Sequence, residues 1–211
     1  MIVALDPGNK EHRLAAAELH GSLLPESPIA GLGRRFMKNF YYDKLVRDGL
    51  IICDLYFHEG RYVALSSYTR DPFTFMARGK KKHFLFLFLT VAAGLLIKPS
   101  RLGTLLKTMR LGKQRECSCS CKAENGQVAE LLSFAVKPEY SSHRDAATGK
   151  KVPNLLCDRV IDFFRKEGYA KIQFIVKKDN KPSLLFFNSY KAQVREADFV
   201  DLKTFMLEVF L

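Results

Sequence analysis

The stretch LLSFAVKPEYSSHRDAATGKKVPNLLCDRVIDFFRKEGYAKIQFIV, residues 131–176, decides the fold. It opens inside an apolar run, VAELLSFAV (128–136), which reads as a buried strand. A polar loop follows. From Asn154 to Gly168 the residues Leu155, Leu156, Val160, Phe163 and Phe164 recur on one face of a helix, and Gly168 supplies the stop. In AKIQFIVKK (170–178), Ile172, Phe174 and Val176 then alternate as in a strand. Strand, helix and strand in this order form a βαβ unit, whose two strands lie parallel in one sheet. The connecting loop, SSHRDAATGKKVPN, leads into a helix N-terminus, where unpaired N–H groups and the helix dipole favour an anion. Phosphate loops are usually rich in glycine, but this one holds only Gly149.

Outward from this unit, the elements continue around one sheet. Residues 1–8 begin with a short strand ended by Pro7 and Gly8. Leu14, Ala17, Leu19 and Leu23 keep helical spacing over 10–24, and PESPIAGLG (25–33) is a Pro/Gly turn. Phe36, Phe40, Tyr41 and Leu45 predict a second amphipathic helix over 34–49. LIICDLYFHEGRYVALSSYT (50–69) is a hairpin that turns at His58-Glu59-Gly60. KPSLLFFNSYK (181–191) is a helix with Pro182 in its first turn and Asp179 or Asn180 as cap, and QVREADFVDL and KTFMLEVFL close the chain as two strands. The expected architecture is a single α/β (α+β) domain over 1–211, with a mixed, mostly antiparallel, twisted sheet, flanking helices and a helical insertion after the third strand.

That insertion, 71–115, is a distinct block. Fifteen residues from His83 to Ile97 carry no formal charge, short of the ~20 that a spanning helix needs. Arg78, Lys80, Lys81 and Lys82 precede them, and Lys98 and Arg101 follow. The pattern fits a buried core helix, or a helix lying in a membrane interface that gives 83–97 a peripheral membrane contact. Cys117, Cys119 and Cys121 alternate, which would place all three on one face of a strand rather than in a zinc site, so no metal is expected. Five cysteines and no apolar leader in MIVALDPGNKEHR suggest a reducing cytoplasm.

The formal charge of +12 favours anionic partners: phosphorylated ligands, a membrane surface or nucleic acid. No recognition helix, zinc finger or aromatic RNA-binding box supports nucleic acid.

Three matches carry a resemblance to the GNAT-type N-acetyltransferase superfamily. LLSFAVKPEY (131–140) resembles its fourth strand. NLLCDRVIDFFRKEGYAKIQFIV (154–176) resembles its central helix, Gly-Tyr turn and fifth strand. DNKPSLLFFNSYKA (179–192) resembles its Asn-x-x-Ala-x-x-Phe-Tyr segment, with Asn180, Ser183, Phe186 and Phe187 on the matching positions. LHGSLLPESPIAGLGRRFMKNFYYDKL is similar to the first two helices of some bacterial members.

The resemblance implies transfer of an acetyl group from acetyl-CoA, the co-substrate, to an amine or a hydroxyl of a small-molecule, sugar or lipid-linked acceptor, by a monomer or homodimer. It implies that backbone groups of Phe134, Ala135 and Val136 bind the pantetheine arm, with the Val136 amide facing the oxyanion. Pyrophosphate would meet the amides of Gly149, Lys150, Lys151, Val152, Pro153 and Asn154, helped by the charges of Arg144, Lys150 and Lys151. Two departures stand out. Lys150 and Val152 occupy the places of the family's small loop residues, in a longer loop than usual. Phe186-Phe187 replaces the Phe-Tyr pair whose hydroxyl protonates the leaving thiolate. Tyr190, one turn on, is the substitute candidate; otherwise the thiolate, with a pKa of about 8.5, leaves unaided. Glu130 is the leading candidate for general base, ahead of His20, His58 and Glu59. The acceptor pocket would draw on 20–42, 71–115 and 192–204. A non-catalytic CoA-binding domain on the same scaffold is the alternative.

Overall fold

The computed structural model describes residues 1–88, 127–195 and 204–211. In chain order the elements are β1 (Ile2–Ala4), α1 (Lys10–Leu23), α2 (Pro28–Gly31), α3 (Arg34–Phe36) leading into a π-helical segment (Met37–Leu45), β2 (Ile52–His58), β3 (Arg61–Thr69), α4 (Phe75–Lys82), β4 (Val128–Val136), α5 (Val152–Lys166), β5 (Lys171–Lys177), α6 (Lys181–Asn188), β6 (Gln193–Arg195) and β7 (Thr204–Phe210). The described strands form one sheet in the order β1-β2-β3-β4-β5-β7-β6. Only β4 and β5 pair in parallel, as the βαβ reading requires; the other neighbours are antiparallel.

Local chemistry explains most boundaries. The β2–β3 hairpin turns on Glu59 and Gly60, at φ 45° and 79°, between the paired His58 and Arg61. Two consecutive positive φ values give a turn whose twist matches that of the strands it joins. Helix α5 begins at Val152 with Pro153 in its first turn, two residues earlier than its apolar spacing suggests. It stops where Gly168 takes φ 77° and the Tyr169 N–H reaches back to Phe164 O at 3.0 Å. The second helix departs from expectation. Instead of one α-helix over 34–49, a short α-turn runs into nine π-helical residues. Wider turns bring the adjacent Tyr41 and Tyr42 both inward, and both rings are fully buried.

The sheet is covered on both faces. Helix α5 lays Leu156, Cys157, Val160 and Phe164 on one face, against Tyr56, Tyr68, Leu131 and Phe174. Each such side chain contributes about 1.5–3 kcal/mol by leaving water. Helix α1 and the π-helical segment cover the other face over β2, β3 and part of β4, with Ala17, Phe40, Tyr41, Leu55, Leu65 and Ala135 in that core. Of the insertion, α4 and the helical residues 84–88 lie within the described part. Residues 89–115, and the strand face predicted for Cys117, Cys119 and Cys121, lie outside it.

Candidate active site

Strands β4 and β5 open like a fork. They pair from Val128↔Lys171 to Leu131↔Phe174 and no further, although β4 runs on to Val136 and β5 to Lys177. The cause lies one residue on. Against β3, the register steps from Tyr68↔Leu131 to Ser67↔Ser133, so Leu132 is an extra residue, a β-bulge. A bulge bends its strand and sharpens its twist, which carries the far half of β4 away from β5.

The ladder also fixes which backbone groups line the fork. The Lys137 N–H donates to Val63 O on β3 at 3.0 Å. Backbone groups alternate sides along a strand. Ala135, opposite Leu65, therefore faces β3, while the N–H and C=O of Phe134 and Val136 face the gap. This corrects the sequence expectation in one respect: the Ala135 amide is committed to the sheet, and its two neighbours remain for a ligand.

On the α5 side the fork is filled with rings. Phe134 stacks on Phe186 at 5.6 Å and 22°, and Phe187 lies 4.1 Å from Phe174. Phe186 and Phe187 are thus brought to β4. Asn180 and Ser183 are not. The Asn180 side chain caps α6 by accepting the Ser183 N–H at 3.2 Å.

Tyr190 packs against Phe186, its ring centroid 5.4 Å from that of Phe186. Its hydroxyl donates to Asp158 at 3.0 Å and accepts from Asn154 Nδ2 at 3.1 Å, fastening the end of α6 to the start of α5. Burial, then the neighbouring Cys157, push its pKa far above 10. A hydroxyl so placed is a poor acid for a thiolate that needs a proton at about 8.5, which argues against Tyr190 in that role.

The loop at the mouth of the fork is folded on itself. Asp145 Oδ1 accepts the N–H groups of Ala147 and Thr148, both at 3.1 Å, and the Thr148 hydroxyl. Its Oδ2 accepts the Tyr56 hydroxyl at 2.7 Å. The Gly149 N–H donates to Asp145 O at 2.8 Å, and the Val152 N–H to His143 O at 3.0 Å. Pro153 has no N–H to offer. The expected row of free amides from Gly149 to Asn154 is therefore interrupted. Cations remain on the exposed outer side: Lys151, Lys150 with its ammonium 2.6 Å from Asp158, and Arg144 donating to Gly149 O at 2.7 Å. The Tyr56–Asp145 bond was not foreseen, although Asp-Ala-Ala-Thr-Gly is an Asx-turn sequence that foretells the local part of it.

The opposite face of the fork is polar and buried. Glu130 is 3% exposed, opposite Gln173, which itself pairs with Glu208. Gln173 Nε2 lies 3.5 Å from Glu130, and Lys171 Nζ 2.8 Å from Glu208. The Tyr41 hydroxyl joins this group. Burial drives its pKa up, with Ser67 and Ser133 holding it partly back and Glu130 adding to the rise. His20 lies deeper under α1. It is fully buried between the Tyr42 hydroxyl and Ser27 Oγ, each 2.7 Å from a ring nitrogen, and burial lowers its pKa to about 4. His58 and Glu59 stand at the hairpin turn instead, with the His58 ring 4.3 Å from that of His143. An open groove of about 740 Å³ runs along α1, past Glu18, Ser22, Arg34 and Arg61, to Lys137, one residue beyond Val136. No cluster of three metal-ligating side chains occurs among the described residues.

No protein-family profile and no curated protein matches the chain. Solved structures do. The polyamine N-acetyltransferase of Drosophila melanogaster, which forms N-acetylagmatine, superposes with a TM-score of 0.58 at 14% identity, covering 100% of both chains. The PaiA N-acetyltransferase of Thermoplasma acidophilum, solved with coenzyme A, gives 0.54 at 14% identity over 100% of this chain and 99% of its own. An acetyltransferase of Streptococcus agalactiae gives 0.57 at 10% identity over 100% and 98%. At such identities the shared property is the fold: this chain has the fold of the GNAT acetyltransferases.

Proposed function

We propose that this protein transfers an acetyl group from acetyl-CoA to an amine. The observation that carries the reading is the fork: a gap beside β4 edged by the backbone groups of Phe134 and Val136, on the fold that other chains use around coenzyme A. An extended chain with amide groups, such as pantetheine, fits an unpaired strand edge as an added strand would. The phosphate end fits less closely. Here side-chain cations of Arg144, Lys150 and Lys151 take over from amides that the loop has already used.

The Val136 N–H, facing the gap, donates to the thioester oxygen as it gains charge when the amine adds to its carbon. Glu130, on the opposite face and roughly 17 Å along β4 from Val136, accepts the proton that the nitrogen must lose through a chain of waters. When the carbon–sulfur bond breaks, the sulfur leaves as thiolate without a tyrosine donor. The amine enters along α1, by the groove that ends at Lys137.

Calorimetric titration with coenzyme A, followed by thiol release from acetyl-CoA across polyamines, amino acids and amino sugars, tests this. Micromolar binding and release with at least one amine are expected; absence of coenzyme A binding overturns it. The committed Tyr190 hydroxyl and the used loop amides favour one second reading, a coenzyme A-binding domain without catalysis. Binding without release for any acceptor would select it.

A further inference from the structure

Helix α4 ends at His83, whose φ of −115° and ψ of 30° break the screw, and residues 84–88 form a further helical turn beyond it. The His83 N–H donates to Gly79 O and the Leu87 N–H to His83 O, both at 3.0 Å. One side is seated. Gly79 lies so close to Leu45 that a Cβ there would meet its Cδ2 at 2.3 Å. Phe86 and Leu87 pack on the core, and Lys44 Nζ stands 4.9 Å over the Phe86 ring. The other side is bare. Phe84 is 68% exposed, Leu85 69% and Phe88 59%, with the rings of Phe84 and Phe88 stacked. One turn before them, Lys80 and Lys81 are exposed. Lys82 and His83 are held by Asp48, each at 2.7 Å, whereas no carboxylate among the described residues pairs with Lys80 or Lys81.

We propose that this outer stripe, residues 80–88, docks the protein on an anionic lipid bilayer. A helix turn with three large apolar side chains and two exposed ammoniums in sequence matches the layering of a membrane surface. The rings enter the acyl boundary while the lysines stay at the phosphates. The whole chain, at +12, is drawn the same way. Among the described residues no helix is long and apolar enough to cross a membrane, and the proposed contact is peripheral.

Co-sedimentation of the full chain with vesicles of phosphatidylcholine alone, and of phosphatidylcholine mixed with phosphatidylglycerol, tests the proposal. Binding to the mixed vesicles alone is expected, weakening as salt rises. The triple variant Phe84→Ser, Leu85→Ser, Phe88→Ser should lose about tenfold or more of that affinity, and Lys80→Glu with Lys81→Glu a similar share. Far-ultraviolet circular dichroism matching the native chain shows that these surface variants fold. The proposal falls if the native chain binds neither vesicle, if it binds both equally, or if the triple variant binds like the native chain. It falls too if sedimentation velocity without lipid shows a dimer that the triple variant dissolves, since the stripe then serves a second copy.

Discussion

The two faces of the sheet are built to different rules. Under α5 lie Val160, Phe164, Tyr68, Leu131 and Phe174, where the Tyr68 hydroxyl donates to buried Asp54 at 2.8 Å and Ser66 is also buried. Under α1 and the π-helical segment, buried Glu130, Gln173, Glu208, Ser67, Ser133 and His20 interrupt the hydrophobic core. Burying such groups costs free energy that hydrogen bonds only partly return. The α1 core therefore carries the larger polar load, while α5 is held by apolar packing. The α1 face gives up stability to hold these polar groups, and it is the face along which the groove to Lys137 runs.

Substitutions can break this contrast, starting with the largest effect. Phe164→Ala empties a fully buried ring site and should cost roughly 3–5 kcal/mol in denaturant unfolding. A loss below 1 kcal/mol would mean that the packing of α5 contributes little to stability. Glu130→Gln keeps shape and should leave coenzyme A affinity in place while kcat falls about a hundredfold or more. An unchanged kcat would remove Glu130 as the base.

His20 sharpens the comparison through pH. Its pKa is near 4 when folded and 6.5 as an ordinary histidine, so the unfolded chain takes up the proton first. Stability is then complete above about pH 6.5 and falls by roughly 3 kcal/mol as pH drops toward 4. Unfolding midpoints measured across that window should slope, and His20→Gln should flatten the slope. At the mouth of the fork, Lys150→Glu with Lys151→Glu should weaken coenzyme A binding roughly tenfold, most visibly at low salt. Smallest is Tyr190→Phe: about 1 kcal/mol of stability, with kcat intact if the hydroxyl is a strut and not an acid.

The βαβ unit was legible because its signals are local. Alternation in β5, the apolar face of α5 and the stop at Gly168 each act within a few residues. So was the α6 cap, down to Pro182 and Asn180. The fork was legible only through resemblance, because a bulge at Leu132 depends on which residue of β3 lies opposite, and spacing along one strand does not carry that. The π-helical segment was misread as α because Phe36, Phe40, Tyr41 and Leu45 suit either winding. In the loop, the charges of Arg144, Lys150 and Lys151 were evident, but not their uses. Tyr56 and Asp145 are 89 residues apart, and no local pattern announces that they meet. For the same reason Glu130 stood alone in the sequence, without Tyr41, Ser133 and Gln173 around it.

The extra residue in β4 also sets a phase. Before it, Glu130 faces the α1 layer; after it, Ser133 and Ala135 do, and Phe134 and Val136 turn to α5. Were Leu132 instead drawn into a regular ladder, the two faces would exchange for everything downstream, whereas deleting it would keep the faces and remove only the bend. Phe134 would in the first case be driven into the layer of Glu130, and the amides that edge the gap would swap with those bound to β3. A single residue thus acts as a parity bit for the whole site.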